Sequence, residues 1–86
     1  MFVFSVFDVK SGTFGTPFFC VNPAVALRTF QDLVNDSQSV VNRYPDDFQL
    51  FQFGQFDEST GLFDLSDRPV FLSNARDYLR SLTPMS

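Results

Sequence analysis

Apolar and polar residues alternate along two stretches of this chain and recur at helical spacing along two others. From Phe2 to Val9 the alternation is loose. Phe2, Phe4 and Val6 fall on one phase and Val3, Ser5 and Phe7 on the other, which predicts a strand beginning almost at the first residue. Ser11 to Thr16 holds two glycines and reads as a turn. Pro17 to Val21 then returns as a short strand, with Pro17 at its start, where a missing N–H does least harm. Asn22-Pro23 predicts a helix start, because Asn is a favoured N-cap and Pro suits the first helical position. Ala26, Leu27, Phe30, Leu33 and Val34 share one helical face, with Arg28, Gln31, Asp32 and Asn35 off it, and the helix should end near Asn35-Asp36. Ser37 to Tyr44 fits either a short helix with Val40 and Val41 turned inward or an ordered loop.

The densest pattern is YPDDFQLFQFGQFDESTGLF, Tyr44 to Phe63. Pro45 disfavours helix at Tyr44 and opens a turn through Asp46 and Asp47. Phe48 to Phe56 reads as a long strand, with Phe48, Leu50 and Phe56 on one phase and Phe51 and Phe53 on the other. A strand apolar on both sides must be covered on both sides. Gly54 predicts a bulge, or a ring lying over bare backbone. Asp57 to Gly61 is a hairpin connection, with Gly61 available for a φ > 0 position. Leu62 to Leu72 returns as an edge strand or two short pieces, because Pro69 cannot donate to a ladder. Ser73-Asn74 caps a last helix whose apolar face is Ala75, Tyr78, Leu79 and Leu82, with Arg76 and Arg80 one turn apart on another face. Thr83 to Ser86 should fray. The expectation is one α+β domain over residues 1–86, in the order ββαββα, with an antiparallel β-sheet covered by two helices.

Composition sharpens this picture. The 86 residues include 13 phenylalanines, no tryptophan and two tyrosines. Phe has no polar handle and fills cores or apolar interfaces. A domain of this size buries only about 60% or a little more of its unfolded surface, so some rings belong at an interface or on an accessible platform. This points to a homodimer or higher homo-oligomer formed through exposed phenylalanines or sheet edges. The lone Cys20 excludes an intrachain disulfide, and its apolar setting predicts a buried thiol, as in a reducing cytosol. The N-terminus has no basic region or cleavage site of a signal peptide, and no apolar run reaches membrane-spanning length. A cytoplasmic protein with no membrane partner is expected.

Candidate chemistry is sparse. There is no histidine, no G-x-S-x-G or S-x-x-K serine, and no phosphate-loop glycine pattern. Asp46-Asp47 and Asp57-Glu58 sit where turns are expected and lack the further ligands of a calcium loop. The chain reads as no enzyme, with no cofactor and no metal. A net charge of −4 opposes electrostatic nucleic-acid binding, although five of the six cations are arginine. Single-stranded binders stack bases on aromatic rings while cations track the backbone. The candidate rings are Phe51, Phe53 and Tyr44; the candidate cations are Arg28, Arg43, Arg68, Arg76 and Arg80, with Lys10. For any one ring, core packing is the simpler reading, and for any one arginine a surface ion pair.

Tyr44-Pro45-Asp46-Asp47-Phe48, Leu50-Phe51, Gly54-Gln55-Phe56-Asp57 and Thr60-Gly61 form a run that resembles the small nonstructural protein of gokushoviruses, the Microviridae subfamily of single-stranded DNA phages. The family pattern is similar to YP-[DE]-D-[FY]-x-L-[FY]-x-[LI]-G-x-F-D-x-x-T-G. The likeness extends to Ala26, Arg28 and Phe30 in the first helix, to Val34-Asn35-Asp36, and to Ser39. It implies a phage accessory protein in the host cytoplasm that binds single-stranded DNA during genome replication and packaging. The alternative is a noncatalytic interaction factor that contacts the replication initiator, procapsid or a host protein without touching DNA. Buried Phe51, Phe53 and Tyr44 without a basic stripe would favour the alternative.

Overall fold

A computed structural model describes residues 1–79. Its sheet is built from β1 (Phe2–Asp8), β2 (Thr13–Phe14), β3 (Phe18–Cys20), β4 (Phe48–Asp57) and β5 (Leu62–Asn74). Every pairing is antiparallel, and β1 and β4 lie side by side at the centre. β2 and β3 both pair with β1 and act as one edge strand interrupted at Gly15–Pro17, while β5 forms the other edge. Pro69 therefore sits on an edge strand, where its missing donor leaves no central ladder open.

Helices α1 (Pro23–Val34) and α2 (Val40–Arg43) connect β3 to β4. The start of α1 is set as the sequence predicts: Asn22 Oδ1 accepts from the Val25 N–H at 2.9 Å, and Pro23 occupies the first turn. Ala26, Phe30 and Val34, spaced four apart, are buried against Phe4, Cys20, Phe48 and Leu50. Ser37–Tyr44 resolves as the short helix, with Ser39 accepting from the Asn42 N–H. Only Val41 of its two valines turns inward; Val40 is exposed.

Two expectations change. The last helix is a 3₁₀ turn, Ala75–Tyr78, and Leu79 is already extended. Its expected caps are used elsewhere: Asn74 Oδ1 accepts from Gln49 Nε2 across the sheet at 3.2 Å, and Ser73 is buried as the end of β5. An N-terminus without a side-chain cap leaves orphan donors and propagates poorly. Arg80, Leu82 and residues 83–86 lie outside the described residues. Second, Phe56 does not share a side with Phe48 and Leu50. Val3 pairs with Gly54 and Phe4 with Gln52, so Phe53 is an extra residue in β4 and the phase reverses beyond it. The Leu62–Leu72 return takes the first of its two expected forms, a single edge strand, which runs 13 residues to Asn74. The β4–β5 hairpin runs along a molecule 49 Å long and only 26 by 20 Å across.

Candidate aromatic sheet face

The helices lie on one side of the sheet. On the other side the register collects Val3, Ser5 and Phe7 from β1, Phe51, Phe53 and Phe56 from β4, and Phe63, Leu65 and Phe71 from β5. No described element packs across this side as α1 does on the other. Phe14 of β2 is the hub of one group of rings. Its centroid lies 4.7 Å from Phe7 and 5.3 Å from both Phe51 and Phe53, and Phe51 meets Phe71 at 5.8 Å. A second group joins Phe56 to Phe63 at 4.8 Å and to Phe19 at 5.8 Å. Most of these contacts are tilted or edge-on, the arrangement that the ring quadrupole favours. Between the groups, Val3, Pro17, Phe19, Phe53, Phe63 and Leu65 line a recess of about 460 Å³.

Four of the rings remain open to solvent, Phe14, Phe19, Phe63 and Phe71 being 41–53% exposed, while Phe7, Phe51, Phe53 and Phe56 are partly buried between them. The paired register places no charged residue among them. Ser5, buried beneath this side, is satisfied by donating to the Gly15 carbonyl at 2.7 Å. Gly54 makes the face possible. Its φ is +144°, and a Cβ there would fall on the Asp64 carbonyl oxygen and close to Leu65 Cα, so only glycine lets β5 approach at the bulge.

The candidate residues divide. Phe51 and Phe53 come together around Phe14. Tyr44 stands apart, 56% exposed, in a recess with Lys10, Val40 and Phe48. Arg28 is exposed on α1, Arg43 ends α2, and Arg68 lies on β5 in a stretch that no register pair includes. Arg76 is held by Asp46, with Nε–Oδ1 at 2.7 Å and Nη2–Oδ2 at 2.8 Å. These four described arginines come from four different elements, and Arg80 lies outside the described residues. Sequence reasoning missed Phe7, Phe14, Phe19, Phe63 and Phe71 as members of the face. The signal for Phe7 was its phase with Val3 and Ser5; for Phe71 it was the strand pairing opposite Phe51.

The two acid pairs are turn residues. Asp57 Oδ1 accepts from the Ser59 hydroxyl and N–H, which holds its carboxyl below the ordinary value of 3.8. The Arg76 hydrogen bond does the same for Asp46. A carboxyl whose folded value is lowered stabilises the fold above its unfolded value, and that contribution is lost as pH falls through the folded value. A carbon-detected NMR titration should place the Asp46 midpoint below 3.8, and Arg76→Gln should return it towards 3.8. An unchanged midpoint in the variant would show that the pair does not persist in solution. Among the described residues no three Cys, Asp or Glu side chains converge to hold a metal ion, and no helix is long and apolar enough to cross a membrane.

Fold and face define a small α+β domain whose antiparallel sheet has helices on one side and phenylalanine on the other. The chain belongs to the Phage ORF5 protein family, which it matches over residues 1–78. It is 36% identical over 67 residues to protein ORF5 of Chlamydia phage 1, a gokushovirus of the Microviridae, covering 73% of this chain and 70% of the relative. It is thus a viral protein of the Microviridae phages, as the Tyr44–Gly61 run implied. No solved structure matches it.

Proposed function

We propose that this phage protein is a noncatalytic accessory factor that binds single-stranded DNA during genome replication and packaging in the host cytoplasm, by stacking bases on the aromatic sheet face. The observation that carries this reading is the set of half-exposed rings on an antiparallel sheet with no described element packed over them. Sheet-borne aromatics are a proven platform for unpaired bases, and each stacked base contributes about 1–3 kcal/mol. Duplex DNA offers no free base faces, so the platform selects for single strands. The homo-oligomer expected from the sequence would form at the outer edge of β5, where strand addition lengthens the platform without covering it.

The paired positions of the face carry no charge, and this shapes the test. A binder that neutralises few phosphates has a shallow salt dependence, because the slope of log K against log salt is about −0.7 per phosphate contact on single strands. Anisotropy of a labelled oligothymidine should show binding that is tighter than to duplex and changes little between about 50 and 200 mM salt, salt levels at which cationic binders lose affinity by orders of magnitude. Phe14→Ser with Phe71→Ser should weaken it roughly 5- to 150-fold for each stacked base removed, with the fold checked by circular dichroism. No binding at low salt, or full binding by the double variant, would overturn the reading.

The second reading, a noncatalytic interaction factor that contacts a viral replication or capsid protein without DNA, is favoured by one observation. A face whose paired positions are apolar and uncharged, on a chain of net charge −4, suits a protein surface better than a phosphate backbone.

A further inference from the structure

A second surface lies on the helix side of the sheet, away from the aromatic face. Along the flank of α1, Val6, Phe18, Phe30 and Leu33 give the apolar lining of a groove of about 450 Å³, to which Gly15 and Thr16 also contribute. This is the size of a site for one or two large side chains. Asp32 and Asp36 stand on its rim, both exposed.

These two carboxylates are poorly placed for the isolated protein. Asp32 sits in the last turn of α1, where the helix dipole disfavours anions, and Asp36 follows just beyond the helix end at Val34. The last turn of α1 contains no basic residue to offset them. Arg28 precedes Asp32 by four positions, the weaker orientation for an ion pair. The ion pairs among the described residues are Met1–Glu58 and Arg76–Asp46, neither of which touches the groove. One Asp36 oxygen accepts from the Gln38 N–H at 2.9 Å, which fixes the carboxylate while leaving its other oxygen available.

An apolar lining beneath an anionic rim that no described cation pairs with is complementary to one kind of ligand. We propose that this groove docks a short cationic, apolar peptide segment of a partner protein, with a leucine- or phenylalanine-like side chain against the Phe18–Phe30–Leu33 lining and a lysine or arginine beside Asp32 and Asp36. The chain's own charge of −4 argues against a second copy as occupant, since two copies repel at an anionic rim. Nucleic acid is disfavoured for the same reason. With DNA proposed on the opposite side of the sheet, the protein would bridge two ligands at once.

The test uses the full chain and three labelled octapeptides: one alternating leucine with arginine, one alternating serine with arginine, and one alternating leucine with glutamate. Anisotropy at near-physiological salt should show binding of the leucine–arginine peptide, at least tenfold tighter than either control. Backbone amide shifts should move at Val6, Phe18, Thr29 and Leu33. Asp32→Asn with Asp36→Asn should weaken that peptide at least tenfold and leave oligothymidine binding unchanged, because the aromatic face is untouched. Both aspartates are exposed, so the variant keeps the fold. Equal binding of the serine–arginine peptide, unchanged affinity of the double variant, or shifts mapping outside the groove would each overturn the proposal. A failure of DNA binding alone leaves this result standing.

Discussion

Phe30→Ala should bring this domain close to unfolding. Phe30 is 1% exposed and sits where α1 meets the sheet, among Phe4, Val34, Val41, Leu50 and Ala75, with its ring edge-on to Tyr78 at 6.5 Å. Truncating a buried Phe to Ala costs about 3–5 kcal/mol in lost transfer energy and residual cavity. At roughly 0.05–0.15 kcal/mol per residue a chain of this length has a total stability of about 4–13 kcal/mol, so the loss takes a large share of it. The cavity has little chance of collapsing. Asn22 pins the start of α1 and Asn35 Nδ2 ties its end to the Tyr78 carbonyl at 3.0 Å, so the helix cannot slide inward. Urea denaturation followed by circular dichroism should show the transition midpoint falling steeply, with Phe30→Leu intermediate. A variant whose stability stays within about 1 kcal/mol of the parent would mean that Phe30 is not the centre of the core.

How far the sequence carries the fold depends on the range of the interactions that decide each element. Asn22-Pro23 and Asp57–Gly61 were legible because their signals are local: an N-cap bond three residues long, and a turn whose Gly61 has φ +76° and donates to the Asp57 carbonyl. The helix expected from Ala75 was not. Its apolar spacing is real, but the cap is diverted by Gln49, 25 residues away. The phase of Phe56 was lost for a related reason. Gly54 announced a bulge correctly, yet a bulge shifts the face of every later residue by one, and alternation counted through it assigns the wrong side. At the candidate site, Phe51 and Phe53 were legible as a pair, while Phe14, isolated between two glycines in a two-residue strand, carries no periodicity of its own. The arginines were legible only as candidates: a surface ion pair was the simpler reading for each, and Arg76 makes one with Asp46, 30 residues away, a partner that no local pattern names.

Gly54→Ala should damage both the fold and the face. The substitution meets two costs together: a φ of +144° that side chains rarely adopt, and a Cβ that lands on the β5 backbone at Asp64 and Leu65. The obstacle is main chain, which cannot swing away as a flexible side-chain end would. Strain of this kind costs about 1–3 kcal/mol before the steric clash is added. In a domain of this size each kcal/mol lowers Tm by about 4–8 °C. A Tm fall of about 4–24 °C is therefore the minimum expected range. The alternative is to expel the bulge and slip the β4–β5 register by one residue, which would turn Phe56 to the helix side and part it from Phe19 and Phe63. Either route breaks the aromatic face, so oligothymidine binding should fall in the same variant. Binding of the leucine–arginine peptide, in a groove that uses no residue of β4 or β5, should persist below the lowered Tm. A Gly54→Ala variant with the parent Tm and an unchanged amide spectrum at Phe53, Phe56 and Phe63 would show that the bulge does not depend on glycine and that the face is built some other way.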